Sequence, residues 1–93
     1  MSKVVYVIAA TPMNESMQDQ TLYWNVDRYS THGNGWADKL SESRSYKDEE
    51  KAIGVRDALL EQLEKAGDRA SIKDIRLITV DRKEMLVARM KGL

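Results

Sequence analysis

One histidine and no cysteine limit the side-chain chemistry open to this chain. A nucleophilic relay would need His32 beside Ser30, Thr31 or Ser41, with Asp27 or Asp38 orienting the imidazole. Nothing in the spacing selects that arrangement, and His32 reads as an exposed residue of a Gly-rich turn. A metal site would draw on His32 with Asp27, Asp38 or Glu42, a set without the spacing of any ligand motif. Gly33-Asn34-Gly35 lacks the GxxxxGK[ST] spacing of a phosphate loop and reads as a tight turn. Asp48, Glu49 and Glu50 are successive residues, so they point in different directions around a helix start, where negative charge complements the helix dipole. The absence of Cys removes disulfides, thiolate metal ligands and thiol nucleophiles together. The residues therefore predict a protein that is not an enzyme and carries no cofactor and no metal.

Binding is the chemistry the composition favours. The aromatics are four Tyr and two Trp with no Phe, so every ring carries a polar handle suited to interfaces. Tyr23, Trp24, Tyr29, Trp36 and Tyr46 fall within one stretch. Trp24 and Trp36 also fit the core of a chain that lacks Phe. Charge is balanced overall, with 15 Lys plus Arg against 15 Asp plus Glu, which argues against a protein built to coat phosphates. It is unevenly spread, however. Residues 71–93 hold Lys73, Arg76, Arg82, Lys83, Arg89 and Lys91 against Asp74, Asp81 and Glu84, a net +3. Such a dipolar surface suits docking on another protein. The candidate binding surface is Tyr23, Tyr29, Trp36, Arg76, Arg82 and Lys83. Nucleic acid is the alternative partner, with the same aromatics stacking on bases and the C-terminal cations on phosphates. A homodimer is left open.

These residues must be positioned by few elements, because 93 residues make one small domain, here taken as 1–93. Residues 3–10 read as a central strand, apolar on both alternating faces, ended by Thr11-Pro12. Met13 to Gln20 reads as a loop. Residues 21–28 alternate, with Leu22, Trp24 and Val26 on one face and Tyr23, Asn25 and Asp27 on the other. Short extended pieces follow at 36–40 and 44–46. Residues 48–66 form the clearest helix, with Asp48 as N-cap, Gly67 at the C-terminus and a stripe of Ala52, Val55, Leu59, Leu63 and Ala66. Ile53 and Leu60 widen the stripe, and Glu61 and Lys65 pair at i,i+4. Gly54 inside this helix either admits a close neighbouring strand or serves no packing purpose. Residues 74–80 form a further strand, with Ile75, Leu77 and Thr79 on one face. A short helix over 82–91 is favoured over a strand, because Asp81 and Glu84 have capping-box spacing and Val80 and Met85 can staple across it. Met85, Leu86 and Met90 are expected near one face of that helix. The fold class is α+β: a small antiparallel or mixed sheet with one long helix on one face and a short C-terminal helix. The other sheet face, carrying Tyr and charged residues, is expected to be wet or an interface.

Hydrophobic residues at 42% and charged residues at 32% exclude a disordered tail. No apolar stretch is long enough to span a bilayer. The short run Val4-Val5-Tyr6-Val7-Ile8-Ala9-Ala10 reads as a buried strand and not as a secretion signal, so a cytoplasmic protein without membrane association is expected.

The run from Tyr23-Trp24 through Gly35-Trp36, then Leu40-Ser41-Glu42-Ser43-Arg44-Ser45-Tyr46 and Asp48-Glu49-Glu50-Lys51-Ala52, resembles a "YW…GW…LSEAR.Y…EEA" layout of small phage and prophage accessory proteins on a ββαβ-type frame. The resemblance covers residues 22–53. Ser43 stands where Ala is usual, and Lys51 precedes the usual Ala. It implies a phage accessory protein that binds and modulates a host protein or complex in the host cytoplasm. Inhibition of an anti-phage defence, such as a CRISPR complex, is one concrete form.

Overall fold

The computed structural model describes residues 3–17, 19–25 and 35–93. Its spine is strand β1 (Val4–Pro12), whose β-branched residues favour an extended backbone buried on both sides. One edge of β1 pairs with β5 (Ile72–Asp81) along nearly its whole length, from Val4 opposite Asp81 to Pro12 opposite Ile72. Its other edge is shared by two short strands. β2 (Leu22–Trp24) pairs at Ala9 and Ala10, and β4 (Ser45–Tyr46) pairs at Tyr6 and Val7. β3 (Trp36–Ala37) adds to β2. Every pairing is antiparallel, giving a five-stranded sheet. With helices α1 (Glu49–Ala66) and α2 (Arg82–Lys91), the architecture is α+β. Both end strands run longer than the sequence pattern predicts, because ladder pairing extends β1 to Pro12 and β5 back to Ile72.

Alternation along β1 sorts the core into two layers. Ile8 and Ala10 join Leu22, Trp36, Tyr46 and Ile75 beneath Ala52 and Leu59 of α1. Val5 and Val7 join Val80 and Met85 of α2 on the opposite side, with Tyr23, Leu40 and Ile78 packed against them. The expectation of a second face that is wet or an interface is corrected here. Val5, Val7 and Ala9 all project from the face away from α1 and are buried, so that face needs its own cover. The cover includes α2 and the 3₁₀ turn Leu40–Glu42 packed against it.

The helix ends follow the sequence closely. The Asp48 carboxylate accepts from the Glu50 N–H at 3.0 Å, and the Asp81 carboxylate accepts from the Lys83 N–H at 2.8 Å. Gly67 and Gly92 close the two helices with positive φ. Glu61 and Lys65 lie 3.4 Å apart on the outer face of α1. Gly54 has no neighbour within 4 Å of where a Cβ would stand, so no strand approaches it closely. The 82–91 segment is helical as predicted, with Val80 and Met85 buried in the same cluster.

A single irregularity interrupts the β1–β5 ladder. The register shifts between Ala9 and Thr11, and Asp74 takes φ +54°, giving β5 one extra residue. The Arg76 guanidinium spans the bulge, donating to the Asp74 carbonyl at 3.0 Å and to Thr11 Oγ1 at 3.2 Å.

Candidate docking surface

Helix α2 is only ten residues long, and an isolated helix of that length is marginal in water. Tertiary contacts hold it in place. Met85 and Ala88, one turn apart, are its buried residues. Arg89 ties its far end to the 43–45 segment, donating to the Ser43 carbonyl at 3.3 Å and to Ser45 Oγ at 3.2 Å. Ser43 is itself buried, and its hydroxyl donates to the Leu40 carbonyl at 2.6 Å. Ser43 thus fixes the turn on which α2 rests.

Burying Met85 and Ala88 turns a second apolar stripe outward. Leu86 is 61% exposed and Met90 78%, one turn apart at i and i+4, with Val87 beside them at 45% and Leu93 at 63% just past the Gly92 cap. The grouping of Met85, Leu86 and Met90 on one face is therefore corrected: Met85 points into the sheet, while Leu86 and Met90 point to solvent. A groove of about 390 Å³ runs along the α2 crest, lined by Leu40, Lys83, Glu84, Val87, Ala88 and Leu93. Exposed Arg82, Lys83 and Lys91 flank the stripe and form no ion pair among the described residues.

The residues singled out from the sequence do not form one patch. Tyr23 and Arg76 both lie opposite Ala9, in one row across the sheet on the α2 side. Tyr23 is half-buried there, and Arg76 is exposed but engaged at the bulge. Arg82 and Lys83 stand at the start of α2, next to the end of the sheet where Val4 meets Asp81. Trp36 was expected at an interface and lies instead in the α1-side core, 5% exposed. Its partner is Trp24, edge-on with ring centroids 5.4 Å apart and planes at 66°. Tyr29 and His32 lie outside the described residues. Sequence reasoning did not single out Leu40, Val87 or Leu93. The available signal was that α2 carries two apolar stripes and a helix of this size can bury only one.

Two smaller clefts of about 260 and 280 Å³ adjoin Trp36, Ser71 and Ile72, one bounded by α1 and the other by Pro12 and Met17. Among the described residues the Trp24 indole N–H has no partner, but it is shielded from solvent and does not present a donor to open space. Glu42 Oε2 is likewise buried without a partner. Among the described residues no group of three His, Cys, Asp or Glu could hold a metal ion, and no helix is long and apolar enough to cross a membrane. Comparison with protein-family models, curated proteins and solved structures gives no match.

Proposed function

We propose that this chain is a non-enzymatic protein-binding protein whose docking surface is the outward stripe of α2. The observation that carries the reading is the exposure of Leu86 and Met90 on one helical face, with Leu93 exposed just past the Gly92 cap. Isolated surface hydrophobics are ordinary, whereas a contiguous apolar patch with a polar rim marks an interaction site. Here the rim is Arg82, Lys83, Glu84 and Lys91, and the adjacent groove gives a partner side chain somewhere to seat. The likeness to phage accessory proteins over 22–53 adds that the partner belongs to the host, and that binding modulates it, with blockade of a defence complex as one form. Burial of Trp36 leaves the nucleic-acid alternative without one of its stacking rings.

The test compares two baits in one bacterial lysate, the native chain and a Leu86→Glu/Met90→Glu variant. Both positions are solvent-facing, so the variant keeps its fold, as far-UV circular dichroism will verify. A protein retained by the native chain and lost with the variant supports the reading. The same retained set from both baits refutes it.

A further inference from the structure

We propose that the groove beside α2 takes an acidic, amphipathic helical segment of the partner. Its apolar side chains seat among Leu40, Val87, Ala88 and Leu93, and its carboxylates face Arg82, Lys83 and Lys91. This rests on the protein-binding reading above and specifies the chemistry of what binds.

The charge distribution selects the occupant. α2 carries Arg82, Lys83, Arg89 and Lys91 against Glu84, a net +3 within ten residues. Arg89 is held by Ser43 and Ser45, which leaves three cations on the crest and flanks with no carboxylate within ion-pair distance among the described residues. α1 differs in part: two of its three cations have a carboxylate partner, Arg56 with Asp57 at 3.0 Å and Lys65 with Glu61 at 3.4 Å, while Lys51 has none among the described residues. An acidic partner places opposite charge on all three free cations at once, which speeds encounter and fixes orientation. Glu84 lines the groove and Glu42 sits in the neighbouring turn, so a partner carboxylate is favoured on the Arg82, Lys83 and Lys91 flanks and disfavoured at those two points.

The other occupants fit worse. A second copy meeting this one α2 to α2 about a two-fold axis would set free cations against free cations. A second copy presenting its acid-rich α1 would make a head-to-tail contact, which does not close on itself in a pair. An anionic bilayer would engage the convex ridge of Leu86 and Met90 and leave the groove unfilled. A hydrophobic groove that receives the apolar face of an amphipathic helix is a recurring recognition mode, and this groove is lined on its apolar side by Leu40, Val87, Ala88 and Leu93.

The experiment titrates isotope-labelled full-length protein with a helical peptide that has Leu at i, i+3, i+4 and i+7 and Glu elsewhere. Parallel arms use the same peptide with Lys for Glu, and vesicles of phosphatidylcholine with phosphatidylserine. The proposal expects amide shifts confined to 40–42 and 82–93 with the Glu peptide, and affinity at least about tenfold above the Lys peptide. It also expects Arg82→Glu/Lys83→Glu to reverse that order, and the affinity to fall as salt rises. Equal or tighter binding of the Lys peptide overturns it, as do shifts elsewhere, vesicle binding without peptide binding, or a concentration-dependent dimer that Leu86→Glu abolishes. If no peptide binds while the two baits above still differ, the partner chemistry fails and the protein-binding reading stands. If the baits also agree, both fail.

Discussion

Gly35 sits where a methyl group cannot. A Cβ built there would stand 2.3 Å from Cζ3 and 2.7 Å from Cη2 of Trp24, and the backbone has φ +95°. Gly35→Ala therefore costs twice. A positive φ costs an L-residue about 1–2 kcal/mol, and displacing a packed ring adds about 1–3 kcal/mol. The backbone has little freedom to retreat, because the Gly35 carbonyl accepts from the Asn25 N–H at 2.6 Å and the next residue, Trp36, pairs with Trp24 in the sheet. The sum is about 2–5 kcal/mol, a large share of the ~5–14 kcal/mol expected for a chain of this length. Urea unfolding followed by circular dichroism and Trp emission measures it. The near-ultraviolet signal of the Trp24–Trp36 pair should change even where the far-ultraviolet spectrum survives. Adding Trp24→Leu separates the two causes: relief of the ring clash should make the two losses less than additive, leaving the backbone share of about 1–2 kcal/mol. A loss under about 0.5 kcal/mol with an unchanged near-ultraviolet spectrum would refute the reasoning.

Gly54→Ala should act in the opposite direction, because the position is exposed, helical and free of neighbours. Stability should rise by about 0.8–1 kcal/mol, read as a higher urea midpoint, and a fall would mean that the glycine is doing something other than tolerating a helix. Met85→Ala should cost about 2–5 kcal/mol, while Met90→Ala should stay within about 0.5 kcal/mol of the native chain. Equal losses at the two positions would show that the wrong stripe of α2 has been placed against the sheet.

Where one physical signal dominated, the sequence was legible. Asp48, Gly67, Asp81 and Gly92 cap the helices as their types require, and the Ala52–Leu59 stripe faces the sheet. The alternation in β1 and β5 held for the same reason: a period of two admits only two faces. The second sheet face needs cover because its strongest apolar residues are on β1, whereas the polar side chains of β2 and β5 alone suggest a face that is wet or an interface. Trp36 shows the limit of composition as a guide. A polar handle on a ring fits an interface and a core equally well, and only pairing with Trp24 across β2 and β3 decides between them. The α2 stripes were ambiguous for a related reason. Met85, Leu86 and Met90 are equally apolar candidates, and the choice among them is made by where the helix is anchored: the Arg82 N–H donates to the Lys3 carbonyl at 2.9 Å, and Arg89 donates to the Ser43 carbonyl at 3.3 Å.

That choice also bears on the proposed docking of a partner on the outward stripe. Everything that keeps α2 in place is elsewhere: the caps at Asp81 and Gly92, the buried Met85 and Ala88, and the Arg89 contacts to Ser43 and Ser45. Leu86 and Met90, at 61% and 78% exposed, contribute almost nothing to these contacts. Lys or Glu at either position would have equal or better helix propensity and greater solubility. Folding alone therefore gives no reason for apolar residues on that ridge, next to three cations with no ion-pair partner among the described residues and a groove of about 390 Å³. Burial against another surface does give one, because each apolar side chain covered on binding gains what the fold leaves unused.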